Sequence, residues 1–136
     1  METAFLDTNI LLENLINKKF QKKFLDLSQN YDIVIYEVVL FELGNLTKKY
    51  FGAKIASKII TGLIESYKIY QQNLDDLKQA LGIMEKYDFN KPNKDYTLED
   101  CIQLYCVQKE AAIMISLDEE MGFFKFKTGE FLHIQK

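Results

Sequence analysis

The chain has 136 residues, of which 48% are hydrophobic and 27% are charged. These proportions fit one folded domain over residues 1–136 and argue against global disorder. The formal net charge of −3 argues against a protein that holds nucleic acid by bulk positive charge. All 17 basic residues are lysines, so any phosphate contact depends on lysine charges, backbone amides or cations rather than on bidentate guanidinium groups.

The N-terminus predicts a buried strand followed directly by a helix. Residues 4–6 are too apolar for a sheet edge, and apolar residues recur at helical spacing over 10–16. Asp7, Thr8 and Asn9 lie at the junction, which is the ligand-binding edge in open α/β sheets. Two interpretations remain at this point: one of the three caps the helix, or the carboxylate of Asp7 serves a site.

Strands and helices alternate over the rest of the chain. We predict helices over 18–27, 37–50, 54–66, 74–87 and 97–110, and further strands over 33–36, 67–70, 111–116 and, at the sheet edge, 130–134. The segment 89–94 contains the one proline and predicts a loop, and 121–124 predicts a short helix or turn. This alternation predicts an α/β fold, a three-layer α/β/α sandwich with a mostly parallel central sheet of about five strands.

Four acidic residues follow the predicted strand ends. Asp7 ends the first strand, Glu42 lies in the helix after the second, Asp100 opens the helix that leads into the fourth strand, and Asp118 follows that strand. Loops after parallel strands open on one side of a sheet, so the four carboxylates can converge there. Glu42 is expected near the buried side of its helix, three residues after Val39, where a carboxylate needs a partner.

Other acids are expected at the solvated surface: Glu13, Glu37, Glu65, Asp75, Asp76, Asp95 and Glu110. If the register differs by a residue or more, Glu99, Asp95 and Glu119 are the substitutes. Structural explanations also stand beside the functional one. Asp100 follows Thr97 by three residues, which matches a capping box, and Asp118 could begin a turn or a helix.

Four neighbouring carboxylates would repel one another unless protons or cations neutralised them. Hard divalent ions such as Mg²⁺ or Mn²⁺ prefer carboxylate oxygen, and one or two of them can activate water and stabilise a leaving oxygen in phosphodiester cleavage. The single histidine, His133, lies alone in the predicted last strand. The sequence therefore favours metal-bound water over histidine as the source of the nucleophile.

The segments that contain these acids resemble the PIN domain (PilT N-terminus) nucleases, including VapC-like toxins. In chain order they are Phe5-Leu6-Asp7-Thr8-Asn9-Ile10-Leu11, Val39-Leu40-Phe41-Glu42-Leu43, Asp100-Cys101-Ile102 and Ile115-Ser116-Leu117-Asp118. The resemblance implies a nuclease that cleaves single-stranded or structured RNA with Mg²⁺ or Mn²⁺. It also implies a homodimer and a small antitoxin partner.

The resemblance implies roles for individual residues as well. Its metal-binding acids would be Asp7, Glu42, Asp100 and Asp118, and the polar residues around them would be Thr8, Asn9 and Ser116, of which Asn9 and Ser116 would orient the acids or a bound water. The chain departs from the family pattern in having no arginine and in placing Cys101 where a small residue is common.

Two other functions remain as alternatives. A phosphatase of the haloacid dehalogenase type also begins with an aspartate after its first strand, but Asn9 stands where that family has its second aspartate. A PIN-like scaffold that binds RNA or protein without cutting would keep the fold alone. The chain also lacks the glycine patterns of P-loops and dinucleotide folds.

No signal peptide precedes the first strand, and no apolar run approaches the roughly 18 residues of a membrane span. We therefore expect a soluble, cytoplasmic protein without a membrane partner. Cys101 and Cys106 match no zinc spacing and are expected to be buried thiols.

Overall fold

Five parallel strands form the central sheet in a computed structural model, which describes residues 1–87, 97–117 and 130–133. The strands are β1 (Thr3–Leu6), β2 (Asp32–Tyr36), β3 (Lys68–Tyr70), β4 (Ile113–Ser116) and β5 (Glu130–His133). Their order across the sheet is β3-β2-β1-β4-β5, and every pairing between neighbours is parallel. The predicted parallel sheet of about five strands is confirmed, with the last strand at an edge.

Helices flank the sheet and complete the predicted α/β/α sandwich. They are α1 (Thr8–Ile16), α2 (Gln21–Asn30), α3 (Glu37–Phe51), α4 (Ala53–Ser66), α5 (Leu74–Tyr87) and α6 (Leu98–Lys109), with a 3₁₀ turn at Lys18–Phe20 before α2. Helices α3 and α4 pack together, as do α5 and α6. Among the described residues, no helix is both long enough and apolar enough to span a membrane.

The core lies on both sides of β1, the middle strand. Ala4, Phe5 and Leu6 are fully buried, as expected for a strand covered on both faces. The chain visits β2 and β3 on one side of β1, then crosses to β4 and β5 on the other. A crevice therefore opens between the carboxyl ends of β1 and β4, which is where ligands bind in sheets of this kind.

Strand β4 begins two residues later than predicted, because α6 ends in a Schellman motif. Ala111 has a positive φ of 49°, its N–H donates to the carbonyl of Gln108, and the N–H of Ala112 donates to that of Val107. These bonds satisfy the last carbonyls of the helix. The two alanines therefore belong to the helix end rather than to the strand.

The expected surface position of two acids is wrong. Glu13 is only 7% exposed, and its carboxylate accepts a hydrogen bond from the Asn17 side chain at 2.8 Å. Asp76 is completely buried and is paired with Lys109 at 3.0 Å. Both carboxylates have partners that make burial tolerable. Asp95 and the segments 89–94 and 121–124 lie outside the described residues.

Candidate active site

Asp7 lies at the end of the middle strand, where β1 passes directly into α1. Its backbone N–H donates to the carbonyl of Ile115 at 2.9 Å, which ties the end of β1 to β4. Its Oδ1 accepts from the backbone N–H of Thr8 at 2.8 Å, so Asp7 is also the N-cap of α1. The carboxylate both begins the helix and faces the crevice beside β4.

Asn9 and Ser116 hold the other oxygen of Asp7. The buried hydroxyl of Ser116 donates to Asp7 Oδ2 at 2.7 Å, and the Asn9 side-chain amide donates to the Ser116 oxygen at 3.1 Å. The amide oxygen of Asn9 accepts from the backbone N–H of Leu117 at 3.0 Å. A polar network thus connects the start of α1 to the end of β4 across the crevice and fixes the orientation of Asp7.

Glu42 reaches this region from α3, the helix after β2. The buried Thr8 hydroxyl donates to Glu42 Oε2 at 3.2 Å, which joins residues 34 positions apart in the chain. The expectation that Glu42 lies near the buried side of its helix is wrong, because the residue is exposed while Val39 and Leu43 point into the core. Its carboxylate instead faces a cavity that opens to solvent.

The pKa of the Glu42 carboxyl is raised above its ordinary value. Loss of hydration where the carboxylate meets the protein raises it most, the hydrogen bond from Thr8 opposes that rise, and the negative charges of Asp7, Asp100 and Glu99 raise it further. Three acids from separate parts of the chain therefore act on Glu42 electrostatically. The acids at this edge form one field of negative charge.

Asp100 approaches from the first turn of α6. Its Oδ2 accepts from the backbone N–H of Thr97 at 3.1 Å, and the Thr97 hydroxyl accepts from the backbone N–H of Asp100 at 3.2 Å. The predicted capping box is confirmed. Asp100 and Glu42 line the same open cavity, of about 590 Å³, together with Val38, Phe41, Asn45, Thr97 and Glu99.

The structure thus brings Asp7, Glu42 and Asp100 to one edge of the sheet, with Thr8, Asn9 and Ser116 among them. Asp118 and Glu119 lie outside the described residues. In the described part of the chain, no three acidic, histidine or cysteine side chains come close enough together to hold a metal ion. The described acids converge without forming a closed coordination shell.

The type of side chain fits a hard divalent cation. The groups that converge are carboxylates, which Mg²⁺ and Mn²⁺ prefer, and a cation among them would offset the repulsion that raises the pKa of Glu42. Cys101 is the nearest soft donor in sequence, but it is buried, and its pKa is raised to about 11 by burial and by the charge of Asp100. The site therefore favours oxygen-bound over thiolate-bound metals.

Three further residues line the cavity and were not predicted as primary site residues. Glu99, kept only as a substitute, adds a fourth acid beside Glu42. Phe41, which is 61% exposed, and Asn45 lie on the same face of α3 as Glu42. The spacing of Val38, Phe41, Glu42 and Asn45 is that of one helix face, so the helical period could have indicated them once Glu42 was assigned.

Comparison with known families and structures gives consistent matches. The family model of the PIN domain matches residues 4–127. The search against curated proteins gives no match.

Solved structures of similar fold include three from bacterial toxin–antitoxin systems. The VapBC2 complex of Rickettsia felis, bound to a promoter DNA fragment, has a TM-score of 0.77 at 13% identity and covers 98% of this chain and 99% of that one. The VapC20 toxin of Mycobacterium tuberculosis, described as cleaving the sarcin–ricin loop, has a TM-score of 0.76 at 17% identity with the same coverage. A toxin–antitoxin complex of Klebsiella pneumoniae has a TM-score of 0.72 at 18% identity, again over 98% and 99%. At these identities the likeness establishes the fold.

Proposed function

The chain belongs to the PIN domain family, and we propose that it is a metal-dependent endoribonuclease and the toxin of a toxin–antitoxin pair. The observation that carries the proposal is the convergence of carboxylates at the carboxyl edge of the sheet, where Asp7, Asp100 and Glu99 raise the pKa of Glu42. Unpaired negative charge concentrated in an open cavity is costly in a protein unless a ligand uses it. A divalent cation and the phosphate that it attracts are such a ligand.

Asp7, Glu42, Asp100 and Asp118 would hold one or two Mg²⁺ or Mn²⁺ ions. When bound, such an ion lowers the pKa of its water and stabilises the leaving oxygen of a phosphodiester. The protein supplies the arrangement of the acids. Ser116 and Asn9 fix Asp7 Oδ2, and Thr8 holds Glu42 Oε2, so the carboxylates are oriented before a ligand arrives.

Lysine side chains supply the positive charge available for the RNA backbone, because the chain has no arginine. With a net charge of −3, binding would depend on the metal and on local contacts rather than on the protein as a whole. The substrate in this proposal is single-stranded or structured RNA. The cleaving toxin of Mycobacterium tuberculosis, which shares the fold, supports that choice.

The proposed partners are a small antitoxin and a second copy of the chain. Two of the similar structures are toxin–antitoxin complexes, which supports the antitoxin, and the homodimer follows from the family resemblance. In this proposal the protein acts in the cytoplasm as one PIN-like domain over residues 1–136. A scaffold that binds RNA or protein without cutting is the alternative.

Cleavage of an end-labelled single-stranded RNA pool tests the nuclease directly. We expect cutting with Mn²⁺ or Mg²⁺ and none with EDTA. Asp7→Asn, Glu42→Gln and Asp118→Asn should each lower the rate by at least a hundredfold, because each removes a charge from the metal site. Asp26→Asn, an exposed aspartate in α2, is the matched control and should cut like the wild type.

Cutting that persists unchanged in Asp7→Asn and Asp118→Asn would show that the activity comes from another site or another protein. Wild-type protein that binds RNA or metal but cuts no RNA would favour the scaffold.

A further inference from the structure

A second cavity of about 370 Å³ lies beside the acidic one and is mainly apolar. It is bounded by the start of α3, the segment between β3 and α5, and the start of α6, with Val38, Leu74, Leu77, Leu98 and Ile102 as its apolar walls. Val38 and Glu99 line both cavities. A ligand in the apolar cavity would therefore be next to the candidate metal site.

One polar atom in this cavity has no partner. The side-chain oxygen of Gln72, which lines the cavity, is buried and accepts no hydrogen bond from residues 1–87, 97–117 or 130–133. A buried acceptor left unpaired costs on the order of 1–3 kcal/mol, so such atoms are rare in folded proteins and call for an explanation. A ligand with an N–H donor would satisfy it.

The segment that carries Gln72 is fixed on both sides. Gln71 donates to the Glu37 carboxylate at 3.0 Å, and Asn73 exchanges two hydrogen bonds with Asp76, at 2.8 and 3.1 Å. The buried Asp76 is in turn paired with Lys109 of α6. Gln72 is therefore held in place before any ligand binds, which lowers the entropic cost of binding.

We propose that this cavity binds the base of the nucleotide next to the scissile phosphate, and that Gln72 selects bases that carry an exocyclic amine. The inference rests on the nuclease function proposed above. A nucleobase has apolar faces that fit aliphatic walls, and in single-stranded RNA its edge is open to hydrogen bonding. Adenine, cytosine and guanine offer an amine donor to the Gln72 oxygen, whereas uracil offers a carbonyl at the equivalent position of cytosine.

The first test is the base preference of cleavage in a randomised RNA pool, read from the sequences at the cut ends. We expect the wild type to disfavour uracil at one position beside the cut. Gln72→Met, which keeps the length of the side chain but removes the acceptor, should reduce that discrimination by about three- to tenfold. Gln71→Met is the matched control, since Gln71 is the neighbouring glutamine and is exposed, and it should keep the preference.

The second test does not depend on cleavage. Cytidine and uridine have nearly the same size and differ at the amine, so methyl NMR of Leu98 and Ile102 with each nucleoside measures the selection directly. Cytidine should shift these signals more than uridine in the wild type and in Gln71→Met, and Gln72→Met should bind both alike.

The two proposals fail in different ways. Cleavage with the same base preference in wild type and Gln72→Met overturns the base-binding inference and leaves the nuclease intact. Absence of cleavage together with selective binding of cytidine overturns the nuclease and keeps the base site. If neither nucleoside shifts the methyl signals, the cavity is filled by water and the inference is wrong.

Discussion

Asp76 is the residue whose environment departs most from its sequence context, which is a polar helix start. Its Oδ1 is paired with Lys109 at 3.0 Å, and its Oδ2 accepts from the Tyr70 hydroxyl and the Asn73 backbone, both at 3.1 Å. Burial opposes ionisation of this carboxyl, but the hydrogen bonds from Lys109, Asn73 and Tyr70 outweigh it and hold the pKa below its ordinary value. The ionised form of Asp76 thus fastens α5 to α6 and β3.

Asp76→Asn should destabilise the protein at neutral pH by about 1–3 kcal/mol, because a hydrogen-bonded buried charge is lost. A pKa lower in the folded than in the unfolded state gives stability that is full above the ordinary aspartate pKa of about 3.9 and is lost as the pH falls through the folded value. The difference in the free energy of unfolding between wild type and Asp76→Asn should therefore be constant from pH 7 to about 5 and shrink below pH 4. Urea unfolding at several pH values measures it.

Asp75→Asn is the matched control, since Asp75 precedes Asp76 but is exposed. It should change the free energy of unfolding little. A difference for Asp76→Asn that stays constant down to pH 3 would contradict the assigned pKa shift.

At the level of elements, the chain turns sharply where α3 ends and α4 begins. Gly52 is the single residue between the two helices and has φ 89° and ψ 164°, a conformation that side chains with a Cβ rarely adopt. The helical hairpin brings Ile60 of α4 against Gly44 of α3. The direction of α4 therefore depends on one glycine, although no described atom lies within 4 Å of a Cβ added there.

Gly52→Ala should lower the free energy of unfolding by about 1–3 kcal/mol through backbone strain alone. Gly62→Ala gives the opposite sign, because Gly62 lies inside α4 where no described atom would meet the added Cβ, and alanine is the better helix former by about 1 kcal/mol. Chemical denaturation of both variants measures the two changes. Equal destabilisation by both would show that space, not backbone conformation, limits these positions.

At the level of the whole molecule, the strand order concentrates negative charge at one edge of the sheet. The crossing from β3 back to β4 places the ends of β1 and β4 side by side, and α3 and α6 bring Glu42 and Asp100 to the same edge. A protein with a net charge of −3 thus has a local acidic site as well as an acidic surface. Such a site favours a folded state that has bound a cation.

Mn²⁺ should therefore raise the thermal unfolding midpoint of the wild type. A ligand that binds only the folded state adds about 2.7 kcal/mol at a hundredfold excess over its Kd. The shift should disappear in Asp7→Asn and persist in Asp26→Asn, as scanning calorimetry with and without EDTA can measure. No shift in the wild type at millimolar Mn²⁺ would favour the scaffold over the nuclease.

The sequence determined the elements and the candidates for the site. Apolar periodicity is local, so the strands around Phe5 and Val34 and the helix after Tyr36 were predicted nearly to the residue. The Thr97–Asp100 capping box is equally local and is present. The PIN domain resemblance, which depended on short segments around the acids, is confirmed by the family match.

Only the tertiary structure decided which polar groups are buried and what they contact. Asp76 is buried because Lys109 lies 33 positions further along the chain, and Thr8 and Glu42 meet across 34 positions. The exposure of Glu42 and the cavity around Gln72 likewise depend on how helices from distant segments pack. A sequence pattern reports the spacing of neighbours along one element, whereas burial and charge depend on partners that only the folded chain brings together.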